Sequence, residues 1–134
     1  MAYGTANVDT IQSSTAGTPP QFNDGNGTQV GTLCRAWVNF DGTAATPITP
    51  RSSFNVSSVT KTASGDYTLN FTSSLSDANY SVVGSCNVNI SGSSGRTVSA
   101  PYNQAPTTSA VRIATTSASN TLEAQLYVYV AVFR

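Results

Sequence analysis

Apolar and polar residues alternate along most of this chain with a period of two, the period of a half-buried β-strand. The run 31–42 (GTLCRAWVNFDG) places Cys34, Ala36, Val38 and Phe40 on one side and Leu33, Arg35, Trp37 and Asn39 on the other. A turn at Asp41-Gly42 closes it. Further strands are predicted over 51–59, 66–71, 80–90, 97–102, 111–116 and 122–133. In 66–71, Tyr67, Leu69 and Phe71 alternate with Thr68 and Asn70. In 51–59, Phe54 and Val56 share a face. The last segment is apolar on both sides, with Leu126, Val128, Val130 and Val132 on one and Tyr127, Tyr129, Ala131 and Phe133 on the other. A strand apolar on both faces is buried on both, so a second subunit is expected to cover its outer side. Gly- and Ser-rich turns separate the segments, and no stretch of ten residues carries a helical period with caps. The expected fold is all-β, an antiparallel β-sandwich, jelly-roll-like.

Residues 1–32 break the pattern. Tyr3, Val8 and Ile11 are isolated apolar positions in a polar stretch, followed by Pro19-Pro20 and the turn-rich Asn23-Asp-Gly-Asn-Gly27. Such a segment cannot bury enough surface to order itself. It reads as an extended N-terminal arm with one short strand around 7–12, anchored through Tyr3, Val8 and Ile11 on a neighbouring subunit. Residues 33–134 form the sandwich. Large aromatics bury the most area per residue, so Trp37, Phe40, Phe54, Tyr67, Phe71, Tyr127, Tyr129 and Phe133 are the expected core and assembly residues, with Trp37 at the centre.

Composition narrows the function. Of 134 residues 9% are charged and the formal net charge is zero. Nucleic acid binding calls for a basic field, and anionic membrane surfaces for a polybasic stretch, so neither is expected. No apolar run reaches the length of a spanning helix, and no charged segment with an apolar core opens the chain; membrane insertion and export by a cleaved signal are not expected. Near-zero net charge removes long-range self-repulsion and favours self-association.

The chemistry on offer is sparse. There is no His, which removes imidazole-based triads and most zinc sites. The carboxylates are Asp9, Asp24, Asp41, Asp66, Asp77 and Glu123. Most lie in turns or at strand ends, where Asp bonds local backbone. No cofactor, metal or catalytic site is expected. Asp24-Gly-Asn-Gly27 lacks the spaced ligands of a calcium loop and reads as a turn. Cys34 and Cys86 read as buried thiols. The Cys34, Trp37, Cys86 spacing does not fit an immunoglobulin core, whose Trp lies on the strand after the first Cys. Arg35 is either a paired structural Arg or part of a ligand surface. Arg96, Tyr102 and Asn103 form the best aromatic-polar grouping for receptor contact.

Three stretches in combination, YGTANVDTIQSST (Tyr3 to Thr15), GTQVGTLCRAWVNFDGT (Gly27 to Thr43) and RSSFNVSSVTKTASGDYTLNFTSSLSDANYSV (Arg51 to Val82), resemble a module of marine cyanophage tail fibres and related receptor-binding virion proteins. The resemblance covers about residues 3–82; residues 84–134 match no motif. It implies a non-enzymatic phage virion protein, tail-associated and homotrimeric, assembled in the host cytoplasm. The implied partners are copies of itself, other virion proteins of tail or capsid, and host surface glycan. Two alternatives stand beside it, a capsid decoration protein on the phage head and a polysaccharide depolymerase.

Overall fold

The computed structural model describes residues 4, 7–15, 19–87, 95–101 and 103–134. The chain divides into two units, Met1–Leu33 and Cys34–Arg134.

In the first unit, β1 (Phe22–Asn23) and β2 (Gln29–Gly31) pair antiparallel as a small hairpin. Asp24 makes the turn. Its Oδ1 accepts the backbone N–H groups of Asn26 (2.9 Å) and Thr28 (2.8 Å), and Gly27 takes a φ of 83°. The strand expected around 7–12 does not form, because Val8 and Ile11 are three residues apart and cannot share one face of a period-two element. Tyr3 lies outside the described residues.

The second unit is all antiparallel β. One four-stranded sheet has the order β4 (Ser52–Phe54), β3 (Cys34–Phe40), β10 (Val128–Phe133), β7 (Ser81–Cys86). The other has the order β5 (Val56–Ala63), β6 (Asp66–Phe71), β9 (Ala110–Ser117), β8 (Arg96–Ser99). The core lies between them. Ala36, Val38 and Phe40 of β3 and Val128, Val130 and Val132 of β10 meet Val59, Tyr67, Leu69, Phe71, Val111 and Ile113 of the second sheet. Ile48 and Leu75 join this core from the connections. At its centre the Phe40 and Tyr67 rings meet edge to face at 5.0 Å, a favoured aromatic geometry. The Tyr67 hydroxyl donates to the Gly42 carbonyl at 3.0 Å, and the Gly42 N–H donates to the Gln125 carbonyl at 2.9 Å. A Cβ at position 42 would run into both the Tyr67 hydroxyl and the Gln125 carbonyl. Only glycine fits there.

Three expectations change at this level. The segment 51–59 is two strands, broken at Asn55, whose φ of 54° turns the chain from the first sheet into the second. The last strand starts at Val128 rather than at Leu122. Upstream of it, Glu123 N–H donates to the Thr115 carbonyl (3.0 Å) and the Thr115 hydroxyl donates back to the Glu123 carbonyl (2.6 Å), so this stretch is held against β9 instead. Finally, Trp37, Phe54, Tyr127 and Tyr129 are not core residues of the single chain, being 38–54% exposed. Trp37 shares its side of β3 with Arg35 and Asn39, and a side carrying an Arg and an Asn is the costlier one to bury.

Candidate interaction surface

Strand register builds a continuous apolar row on the outer face of the first sheet. Phe54 of β4 stands opposite Trp37 of β3, Trp37 opposite Ala131 of β10, and Ala131 opposite Val83 of β7. The row crosses all four strands. Phe54 is 54% exposed, Trp37 38% and Val83 60%. The adjacent row runs Ser52, Asn39, Tyr129, Ser85, so the Tyr129 ring borders the apolar row. Ala131 is the small member between larger neighbours. Its short side chain leaves a shallow groove of about 470 Å³, walled by Trp37, Tyr129 and Val83. The Asn39 Oδ1 atom beside this groove is buried and has no hydrogen-bond partner among the described residues.

The outer face of the second sheet is the opposite in character. Asn70 Nδ2 donates to the Ser58 and Thr60 hydroxyls at 3.0 and 3.2 Å. The Thr97 and Thr116 hydroxyls share a hydrogen bond at 2.8 Å. Arg112 Nε donates to Asp66 Oδ1 at 2.7 Å, and its Nη2 bonds the other carboxylate oxygen. This face satisfies its own polar groups and can stay in water. The first face presents rings to water, and contiguous exposed apolar surface of that kind marks interaction sites.

The charged side chains are mostly committed elsewhere. Asp41 pairs with Arg51 at 3.4 Å and accepts the Thr43 hydroxyl at 2.6 Å. The Thr43 hydrogen bond foremost, and Arg51 with it, hold the Asp41 carboxyl below the usual range. The Arg51 guanidinium also stacks over the Tyr127 ring, 4.6 Å from its centroid. Asp77 accepts Arg134 Nε at 2.9 Å, which lowers its pKa too. Cys34 and Cys86 are free, half-buried thiols, and burial pushes the Cys86 thiol up.

The expected aromatic set therefore splits. Phe40, Tyr67 and Phe71 form the core, Phe133 is half-buried, and Trp37, Phe54 and Tyr129 gather on the outer face with Tyr127 exposed near Arg51. Of the receptor grouping, two members lie among the described residues. Arg96 is almost buried and bonds both oxygens of Glu123 at 3.0 Å, Asn103 sits in an exposed turn, and Tyr102 lies outside the described residues. In the arm, Val8 and Ile11 are exposed. Val83 was absent from the expected set. The signal for it was present in Val82-Val83, two successive apolar residues that must point to opposite faces of a strand. Among the described residues no group of three or more His, Cys, Asp or Glu could hold a metal ion, and no helix is long and apolar enough to cross a membrane.

No known protein family matches the sequence, and no curated protein does. Among solved structures, the chain is similar to the phiAB6 tailspike, determined in complex with three-repeated oligosaccharides of Acinetobacter baumannii surface polysaccharide. The similarity has a TM-score of 0.47 and 15% sequence identity, and covers 95% of this chain and 30% of that chain. The chain thus spans less than a third of the tailspike's length.

Proposed function

We propose that this chain is a non-enzymatic structural subunit of a phage virion, associated with the tail, that self-assembles as a homotrimer through the outer face of its first sheet. The observation that carries self-assembly is the row Phe54, Trp37, Ala131, Val83, apolar and solvent-facing across four strands. Buried aromatic anchors of this kind dominate the energetics of protein interfaces. The virion assignment rests on the resemblance of residues 3–82 to cyanophage fibre modules. The non-enzymatic reading is supported by the carboxylates, since Asp41, Asp66, Asp77 and Glu123 are each tied to an Arg. Contact with host glycan, which the resemblance implies, falls to the exposed turn at Asn103 rather than to Arg96, whose guanidinium Glu123 holds.

Sedimentation equilibrium of the purified chain at micromolar concentration tests the assembly, with the mass of three copies expected. A monomer throughout that range would overturn it. Antibody labelling of intact particles tests the location. Label at the tail is expected, and label spread over the head would transfer the protein to capsid decoration.

A further inference from the structure

Most charges of this chain have a partner within it. Arg51 pairs with Asp41, Arg96 with Glu123, Arg112 with Asp66 and Arg134 with Asp77. Lys61 Nζ donates to the carbonyls of Thr43 and Ala44, and Asp24 caps its own turn. Among the described residues, the side chains of one cation and one anion are left without hydrogen bond or ion pair, Arg35 and Asp9. Arg35 lies on the outward side of β3, two residues before Trp37, and lines a second groove with Phe54, Asn55, Thr72 and Ser73. Asp9 lies two residues before Ile11, in a segment with no strand or helix of its own. Ile11 is 61% exposed.

The two pairs share a spacing. In extended chains residues i and i+2 point to the same side, roughly 6.5 Å apart. Asp9 and Ile11 thus form a charged-then-apolar pair that is opposite in sign to Arg35 and Trp37 and equal to them in order and separation. Resting on the self-assembly reading above, we propose that the outer face of the first sheet is covered by the arm of a second copy of this chain. In that contact Asp9 of one copy sits against Arg35 of the next, and Ile11 sits on Trp37 and Phe54. The apolar contact supplies affinity, while the single opposite-charge pair fixes the register and rejects slipped alignments. An arm that cannot order itself gains its structure in this contact.

Charge reversal tests this, read as the weight-average mass by sedimentation at micromolar concentration. Asp9→Arg and Arg35→Asp should each weaken self-association by about tenfold or more. The double variant Asp9→Arg/Arg35→Asp should regain it, because every contact of the assembly then holds the same pair with its signs exchanged. An oligomeric wild type whose single variants keep the same mass would overturn the arm contact and leave self-assembly standing. A double variant that stays dissociated would overturn it as well. A monomeric wild type would instead remove the self-assembly reading on which this contact rests.

Discussion

Phe40 and Trp37 lie three residues apart on β3 and face opposite ways, so the same truncation should have different consequences at the two sites. Phe40 is fully buried against Tyr67, and Phe40→Ala should destabilise the chain by ~3–5 kcal/mol. Trp37→Ala removes a ring already in partial contact with water and should cost about 1–2 kcal/mol of folding stability. Its main effect should be on self-association. Urea unfolding at low protein concentration measures the first quantity and sedimentation the second. A Trp37 loss as large as that of Phe40 would return the indole to the core. The sidedness of β3 was within reach of the sequence. Alternation separates the two faces, and Arg35 and Asn39 mark the Trp37 side as the one dearer to bury. The size of the indole points the other way, and burial followed the company a residue keeps rather than its area.

At the level of elements, the passage from the first sheet to the second turns on one residue. Asn55 holds a left-handed φ of 54°, and its side chain closes the corner. Nδ2 donates to the carbonyls of Arg35 (3.1 Å) and Ser73 (3.0 Å), and Oδ1 accepts the Ser73 N–H at 2.7 Å. Asn55→Ala loses both the bonds and a conformation an L-residue resists, so it should cost ~2–4 kcal/mol. Asn55→Gly keeps the conformation and should cost roughly 1 kcal/mol less. Equal midpoint shifts for the two variants would show that backbone handedness contributes nothing here. Strands with one wet and one dry face were legible, β6 above all, because Tyr67, Leu69 and Phe71 alternate without interruption. The split of 51–59 was not, since Phe54 and Val56 have the same parity yet serve different sheets. The start of β10 was hidden too, because it depends on hydrogen bonds between Thr115 and Glu123, distant from the strand's own pattern.

For the molecule as a whole, titration should shape stability only at the extremes of pH. There is no His, so no side chain has an ordinary pKa between about 5 and 8. Asp41 and Asp77 are depressed below their ordinary 3.8 by Thr43 and Arg134 respectively. A depressed acid contributes stability above its unfolded value and loses it as pH falls through the folded one. Acid destabilisation should therefore begin near 3.8 and deepen below it. Burial raises Tyr67 and Tyr80 above 10.0 and Cys86 above 9.0. A raised group keeps its contribution below the unfolded value and loses it as pH climbs towards the folded one. Alkaline destabilisation should start near 9 with the thiol and steepen past 10 with the phenols. Thermal unfolding midpoints across the pH range should trace a plateau with two shoulders. An inflection between pH 5 and 8 would contradict this account. The resemblance that brought virion biology into view rests on residues 3–82, whereas the surface that could join copies also draws on β7 and β10, and Val83 became visible only once register brought those strands beside Trp37.

The two outer faces also differ in what the surrounding medium can do to them. If the ring-bearing face is taken up by a neighbour, the surface left to the outside is the one of Ser58, Thr60, Asn70, Thr97 and Thr116, hydrated through neutral hydroxyls and amides. Counterions have little there to screen, because screening acts on charge and this coat carries almost none apart from the Asp66–Arg112 pair. Such an exterior gives Debye screening little to act on. Low charge, which looks like an economy in the composition, becomes a way of closing one route by which ionic strength reaches the surface.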